Sequence, residues 1–158
     1  MTEPFLDEDY RVLTSEAFDF VLNNELKRAV RSQTFLTLVH VEPSVRGQTS
    51  AEAREPGVLR EVARLISRDV RETDLLALTG TGRLSLVLLD ADLESSIGVI
   101  DRLRSRLDHY EFQRPLDIGV GAACCPTHGA DADALRRAAQ AQPVAPRAAD
   151  FPNASNAQ

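Results

Sequence analysis

The sequence has few cysteines, no long apolar run and no basic excess, and each absence excludes a class of protein. Its two cysteines, Cys124 and Cys125, are neighbours, and adjacent cysteines rarely bridge each other, so a disulfide framework is excluded and a reducing cytoplasm is expected. No apolar stretch approaches the roughly 18 to 20 residues needed to span a bilayer. The start, residues 1–9, is acidic and lacks the basic and then apolar pattern of a signal peptide. A net charge of -6 and a pI of about 5.1 argue against partners such as nucleic acid or an anionic membrane.

The remaining composition predicts one globular domain. The chain has 158 residues, of which 43% are hydrophobic and 27% are charged, and this is enough for a single core. We expect residues 1–10 to be a flexible lead-in and residues 11–142 to form the domain. Residues 143–158 are rich in Pro, Ala and Asn, a composition typical of a disordered tail.

Hydrophobic periodicity predicts an alternation of helices and strands. Apolar residues recur at helical spacing in several segments, and a glycine-rich turn between two apolar runs predicts a β-hairpin in the middle of the chain. The predicted helices are 14–32, 57–70, 93–110 and 131–142, and the predicted strands are 34–42, 75–78, 83–89 and 116–124. This order predicts an α/β (α+β) fold in which helices cover both faces of a mixed or mostly antiparallel sheet.

Five short motifs, in order and at matching spacing, resemble those of the GGDEF domain, the nucleotide-cyclase-like fold that makes cyclic di-GMP from two GTP. They are Leu13-Thr14 before the first helix, Arg28-Ala29-Val30-Arg31 at its end, residues 57–63 in the second helix, Arg71-Glu72-Thr73-Asp74 before the hairpin and Ile118-Gly119-Val120-Gly121-Ala122 in the last strand. The resemblance covers about residues 10–142. It implies a central five-stranded, mostly antiparallel sheet and a bacterial, cytoplasmic signalling protein. The family's final helix and strand have no counterpart in the sequence after Gln142.

The signature turn of the family departs from its pattern in this sequence. The resemblance places it at Gly80-Thr81-Gly82-Arg83-Leu84, where the family has Gly-Gly-Asp-Glu-Phe. The metal-binding acid of that turn is therefore missing, and Arg83 would repel a cation. A second metal carboxylate of the family falls at His40, so at most Glu42 remains on that strand as a hard oxygen ligand. We therefore predict no catalytic residue, no metal, no cofactor and no cyclase activity.

The product site of the family suggests a second possible role. It uses the Arg and Asp of Arg-x-x-Asp and an Arg from the helix after the hairpin, which the resemblance places at Arg71, Asp74 and Arg102, with Arg104 also possible. A guanidinium can pair with a guanine edge or a phosphate, and a carboxylate can accept from guanine N–H groups. A structural alternative stays open, because Arg71 and Asp74 also suit a helix end followed by a turn.

These motifs lead to three functional hypotheses. The first is a catalytically inactive GGDEF-like domain that acts as a signalling and protein-interaction module, with a protein partner or a homodimer. In that hypothesis, the apolar Leu84 near the hairpin tip forms part of a contact surface. The second is a cyclic di-GMP receptor that uses Arg71, Asp74 and Arg102. The third is a non-hydrolysing GTP-binding regulator. It is the weakest of the three, because the resemblance places the family's guanine-reading Asn and Asp in Arg46-Gly47-Gln48-Thr49, where both are missing, and the metal contacts are lost as well.

Overall fold

The computed structural model describes residues 6–7, 12–46, 56–71, 73–79, 82–112 and 115–144. In chain order these form β1 (Leu6–Asp7), β2 (Val12–Leu13), α1 (Ser15–Ser32), β3 (Leu36–Val45), α2 (Pro56–Asp69), β4 (Leu75–Thr79), β5 (Arg83–Leu89), α3 (Leu93–His109), β6 (Leu116–Cys125) and α4 (Ala132–Ala141). Every helix and strand predicted from periodicity is present, with ends shifted by about three residues at most. None of the helices described here is long and apolar enough to cross a membrane.

Short polar side chains set the starts of three helices. Thr14, Asp92 and Asp131 precede α1, α3 and α4, and each side-chain oxygen accepts a hydrogen bond from the backbone N–H three residues later, at 2.8 to 3.2 Å. These bonds satisfy N–H groups that the first helical turn leaves without an intrahelical partner. At the other end of α1, Gln33 adopts a left-handed backbone with φ of 57°. The ends of the helices are therefore fixed by residues that are recognisable in the sequence.

The strands form one sheet in the order β1-β2-β4-β5-β3-β6. All pairs are antiparallel except β2 with β4, which are parallel at Leu13 and Ala77. The prediction of a mostly antiparallel sheet is therefore confirmed. Counting the two-residue strands β1 and β2, the sheet has six strands, and β1 lies inside the segment 1–10 that was expected to be a flexible lead-in. Strands of two residues are too short to produce a periodic pattern.

The alternation of side chains along the strands creates an apolar core on each face of the sheet. One core joins the sheet to α1 and α4, and we call this side the α1/α4 face. It includes Phe18, Leu22, Leu36, Leu38, Val87 and Leu135. The other core joins the sheet to α2 and α3, and we call this side the α2/α3 face. It includes Val39, Val62, Ile66, Leu86 and Ile100. Helices on both faces were predicted, and the structure confirms them.

Strand β3 continues through Pro43, where the sequence predicted that it would stop. Beyond Val41, β3 pairs only with β6 among the described strands, and Pro43 lies opposite Ile118. Proline lacks the N–H of a ladder hydrogen bond, so it is tolerated where one side of a strand is unpaired. The strand therefore reaches Val45.

The first residues after α4 lie against the free edge of β6. Pro143 forms an antiparallel bridge with Gly121, and the backbone N–H of Val144 donates to the carbonyl of Val120 at 2.8 Å. The buried Arg104 donates from Nη2 to the carbonyl of Val144, also at 2.8 Å. An edge strand offers unpaired backbone groups that such a segment can satisfy. The prediction of a disordered tail from 143 is therefore wrong for Pro143 and Val144, and its remainder, 145–158, lies outside the described residues.

Candidate functional site

The β4–β5 hairpin sets the register of the predicted signature turn. Thr79 lies opposite Arg83, and Gly82 has φ of 80°, a left-handed conformation that glycine adopts without strain. The two other turn residues, Gly80 and Thr81, lie outside the described residues. Arg83 is thus the first residue of β5 and is fixed to the sheet at its base.

Leu84 does not belong to an exposed contact surface, so that part of the first hypothesis is wrong. It is 0% exposed and packs in the core of the α2/α3 face. Because successive side chains of a strand point to opposite faces, the neighbouring Arg83 points to the α1/α4 face. A single step along β5 therefore separates a core residue from a polar one.

Arg83 contacts Glu42 on the α1/α4 face. Its Nε lies 3.6 Å from Oε1 of Glu42. With the Gln140 amide oriented so that its oxygen faces the guanidinium, this oxygen accepts from Nη1 and Nη2 at 3.0 and 3.2 Å. The Arg83 side chain is 26% exposed and that of Glu42 53%. Strands β3 and β5 and helix α4 therefore hold a partly buried cation at the place predicted for the signature turn.

His40 is the buried member of this group. It lies opposite Ser85 on β5 and opposite Gly121 on β6, and it is 3% exposed. Burial, and then the positive charges of Arg83 and Arg136, together lower the pKa of its imidazole from 6.5 to about 4. Within the part of the chain that the structure describes, its buried Nδ1 has no hydrogen-bond partner. His40 is therefore a neutral imidazole at physiological pH.

Gly121 allows α4 to approach this group closely. A Cβ at Gly121 would lie 2.0 Å from the carbonyl oxygen of Ala139, so only glycine permits the observed contact between β6 and α4. This approach brings Arg136 and Gln140 of α4 close to the strands. Arg136 also forms an ion pair with Asp19 of α1. We refer to His40, Glu42, Arg83, Arg136 and Gln140 as the polar cluster.

The charges of the polar cluster disfavour a divalent cation. Among the described residues, no group of three or more His, Cys, Asp and Glu side chains is arranged to hold a metal ion. Glu42 is already paired with Arg83, and a fixed guanidinium charge repels a metal ion that would share this carboxylate. A second polar contact nearby, between the hydroxyls of Thr79 and Ser85 at 2.5 Å, adds no negative charge.

Asp74 of the predicted product site accepts from two backbone groups, and its Oδ2 also lies 3.6 Å from Nε of Arg71. Its side chain is 3% exposed. Oδ2 accepts from the N–H of Arg71 at 3.2 Å, and Oδ1 accepts from the N–H of Leu89 at 3.4 Å. The guanidinium of Arg71 donates from Nη2 to the carbonyl of Leu89 at 3.2 Å, while its side chain remains 66% exposed. This geometry favours the structural alternative for Asp74 and leaves Arg71 accessible.

Arg102 lines a cleft between α2 and α3, which we call the α2–α3 groove. The groove has a volume of about 620 Å³, and its lining consists of Leu65, Arg68, Arg102, Ser105, Arg106, His109 and Tyr110. Nε of Arg106 lies 2.5 Å from Oδ2 of Asp69, and Asp69 precedes Arg71 by two residues. Arg104 is buried and donates to Val144, so it is not available to a ligand. The structure thus places Arg102 in a basic groove, and Asp74 is not part of its lining.

The adjacent cysteines are core residues. Cys124 and Cys125 are 1% and 0% exposed and are free thiols. Burial raises the pKa of the Cys125 thiol, and the neighbouring Cys124 raises it further. The imidazole Nδ1 of His128 accepts from the backbone N–H of Cys124 at 2.9 Å. Both cysteines therefore act as small apolar fillers of the core.

Solved structures with the same architecture identify the fold. The chain is similar to the GGDEF domain of FimX from Pseudomonas aeruginosa, with a TM-score of 0.76 and 16% identity over 89% of this chain and 91% of that chain. It is similar to the GGDEF domain of DgcB from Caulobacter crescentus in complex with c-di-GMP, with a TM-score of 0.75 and 16% identity over 89% and 88%. The chain has a GGDEF-like fold.

A third similar structure contains a partner protein. The diguanylate cyclase SiaD from Pseudomonas aeruginosa, in complex with its activator SiaC, has a TM-score of 0.69 and 17% identity over 86% of this chain and 56% of that chain. No protein-family model and no curated protein matches the sequence. At these identities the comparisons establish the GGDEF-like fold, which the motifs had predicted, and the function is argued from the residues of the site.

Sequence reasoning found part of the polar cluster of this GGDEF-like domain and missed the rest. Arg83, Glu42 and His40 were located through the resemblance, and the structure brings them together. Arg136 and Gln140 were missed because they lie on α4, far along the chain, in a segment without a recognisable motif. Their spacing of four residues, which places two polar side chains on one helix face, was the available signal.

Proposed function

We propose that this GGDEF-like domain is catalytically inactive and acts as a signalling module that binds a protein partner. The observation that carries the proposal is the contact of Arg83 with Glu42 at 3.6 Å, at the position where the resemblance expects acidic metal ligands. Attack of one nucleotide's hydroxyl on the α-phosphate of another, with pyrophosphate as the leaving group, depends on divalent cations to neutralise the developing charge. A neutral His40 and a paired Glu42 do not replace the missing carboxylates.

The experiment for this proposal is incubation of the purified protein with GTP and Mg²⁺, followed by chromatography of the products. We expect no cyclic dinucleotide. A dinucleotide formed by the wild-type protein would refute the proposal directly.

A gain-of-function variant tests the electrostatic reason. The double substitution His40→Asp with Arg83→Glu places two new carboxylates beside Glu42, and we expect it to gain thermal stabilisation by Mg²⁺ or Mn²⁺. The matched control is His40→Asn with Arg83→Gln, which removes the same groups without adding acids and should not respond to either ion. An equal response of both double variants would show that the polar cluster is not the site concerned.

The partner-binding part of the proposal is supported by apolar side chains at the end of α1. Val30 and Phe35 are 51% and 44% exposed, and they lie beside an apolar cavity of about 230 Å³ that Pro126 and Ala130 also line. Exposed apolar groups that cluster around a cavity are typical of contact surfaces. SiaD, with the same fold, was solved in complex with its activator SiaC. Light scattering of the wild type and of Phe35→Ser over a range of concentrations tests the homodimer form of this proposal, since only the wild type should associate.

A cyclic di-GMP receptor is the second candidate, and the α2–α3 groove favours it. Arg102 lines this groove together with Arg68 and Arg106. Arg71 follows Arg68 closely in the sequence, and its side chain is 66% exposed. The DgcB domain with the same fold was solved in complex with c-di-GMP. Because the Asp74 carboxylate already accepts from backbone N–H groups, the arginines would recognise cyclic di-GMP through contacts with its phosphates.

Calorimetric titration with cyclic di-GMP distinguishes this candidate from the first. Binding that is lost in Arg71→Ala and in Arg102→Ala, but retained in the control Arg64→Ala on the exposed side of α2, would support a receptor. If the wild type gives no heat of binding with cyclic di-GMP, the receptor candidate is excluded and the interaction module remains as the proposed function.

A further inference from the structure

We propose that the polar cluster is a binding site for a phosphate group, held directly by Arg83 and Arg136 without a divalent cation. The two guanidinium groups come from different elements, β5 and α4, and Gln140, about one helical turn after Arg136 on α4, contacts the guanidinium of Arg83. The charges of both arginines act on the His40 imidazole. Their side chains are 26% and 33% exposed. Each cation is therefore partly withdrawn from water and still accessible to a ligand.

Two buried polar atoms of the cluster have no hydrogen-bond partner within the described part of the chain. They are Nδ1 of His40, in a residue that is 3% exposed, and Nε of Arg83. Buried polar atoms in native proteins are almost always hydrogen-bonded, so each orphan requires an explanation. A phosphate oxygen would accept from both, because Arg Nε carries a hydrogen and a neutral imidazole can carry its hydrogen on Nδ1.

The present partners of the two arginines do not block such a ligand. The Gln140 amide oxygen accepts from both Nη atoms of Arg83, and because Gln140 is exposed it can turn away toward water. Glu42 lies 3.6 Å from Nε of Arg83, which is beyond hydrogen-bond length, and its side chain is 53% exposed. Asp19, the partner of Arg136, is 51% exposed. Ion pairs as exposed as these contribute little and break easily. A dianion can therefore replace the carboxylates while they turn toward water.

Phosphate is the anion that this arrangement favours. It offers several oxygens in different directions, as two guanidinium groups from separate elements require, and arginine pairs well with phosphate because of its planar fork of N–H donors. In this way a fixed guanidinium takes the place of a metal ion. The inference goes beyond the proposed loss of catalysis, because a domain that does not turn over GTP can either have this phosphate site or be without it.

The experiment is a titration of the full chain with inorganic pyrophosphate in EDTA, followed by calorimetry and by the NMR signal of the His40 imidazole at constant pH. We expect saturable binding that shifts the His40 signal. Arg83→Gln and Arg136→Gln should each weaken binding by at least about tenfold, the usual effect of losing one charge-assisted hydrogen bond. Arg83→Lys should restore part of the binding lost in Arg83→Gln.

Matched controls locate the binding. Arg137→Gln removes the same charge from the exposed neighbouring position of α4 and should bind as the wild type does. Arg102→Gln removes a cation from the α2–α3 groove and should also bind normally. Absence of saturable binding, binding only with Mg²⁺, or binding that disappears in Arg102→Gln instead of Arg136→Gln would each overturn the proposal. The turnover assay with GTP remains independent of all these outcomes.

Discussion

Acidification should destabilise the domain through His40. Its imidazole is buried, and the pKa falls from 6.5 to about 4 because of burial and of the charges of Arg83 and Arg136. Between these two values the unfolded chain binds a proton that the folded chain does not, so stability decreases as pH falls through this window and is fully present above about pH 6.5. At about 1.36 kcal/mol per pH unit, the interval from 6.5 to about 4 gives a loss of about 3 kcal/mol from this group by pH 4.

The assay is urea unfolding at several pH values from 7.5 to 4, for the wild type and for His40→Gln. The charged groups that face His40 are Arg83 from β5, Arg136 from α4 and Glu42 from its own strand. Because both proteins keep all three groups, the difference between their two profiles isolates the imidazole.

The variant should therefore lose less stability on acidification than the wild type, and the two curves should converge toward pH 4. The control is His109→Gln, at an exposed position of α3, and it should follow the wild-type profile. Parallel curves for the wild type and His40→Gln would refute the description of His40 as a buried neutral imidazole.

Three further predictions concern stability, and chemical unfolding checks each of them. Gly121→Ala should lower the free energy of unfolding by about 2 to 3 kcal/mol, because the new Cβ would overlap the backbone of α4. The control Gly98→Ala, in open space on α3, should raise it by about 0.5 to 1 kcal/mol. Equal effects of the two substitutions would contradict the close approach of α4. Asp74→Ala should cost about 1 to 3 kcal/mol with no ligand present, because two backbone N–H groups lose their acceptor; an unchanged midpoint would argue against its structural role. Asp92→Ala should lower the unfolding midpoint through the lost cap of α3, and an unchanged midpoint would show that this cap contributes nothing.

The fold was predictable where the pattern is local. The helices depend on residues three or four apart, such as the stripe of Phe18, Leu22 and Leu26 in α1, and all four predicted helices are present among the described residues. Gly121, a glycine inside a strand, is also the kind of residue that permits close approach of a neighbour, here α4. Local periodicity and cap chemistry are therefore sufficient for the element order.

The site was less predictable, because it depends on which face a side chain takes and on contacts between distant segments. Leu84 was expected near a surface and lies in the core, since a one-residue difference in register reverses the face. The pair of Arg136 with Asp19 joins residues 117 positions apart, and nothing in either local sequence indicates it. Pro43 was read as a strand end because the sequence does not reveal which side of β3 has a neighbour.

The contact of Arg104 with Val144 determines where the domain can be cut. A chain shortened to Gln142 would keep all four helices and every long strand, yet it would remove the carbonyl that accepts from a guanidinium only 7% exposed. A buried charge without an acceptor is strongly unfavourable. Expression boundaries chosen from secondary structure alone would therefore leave the buried guanidinium of Arg104 without its acceptor. A stable recombinant fragment should extend at least to Val144.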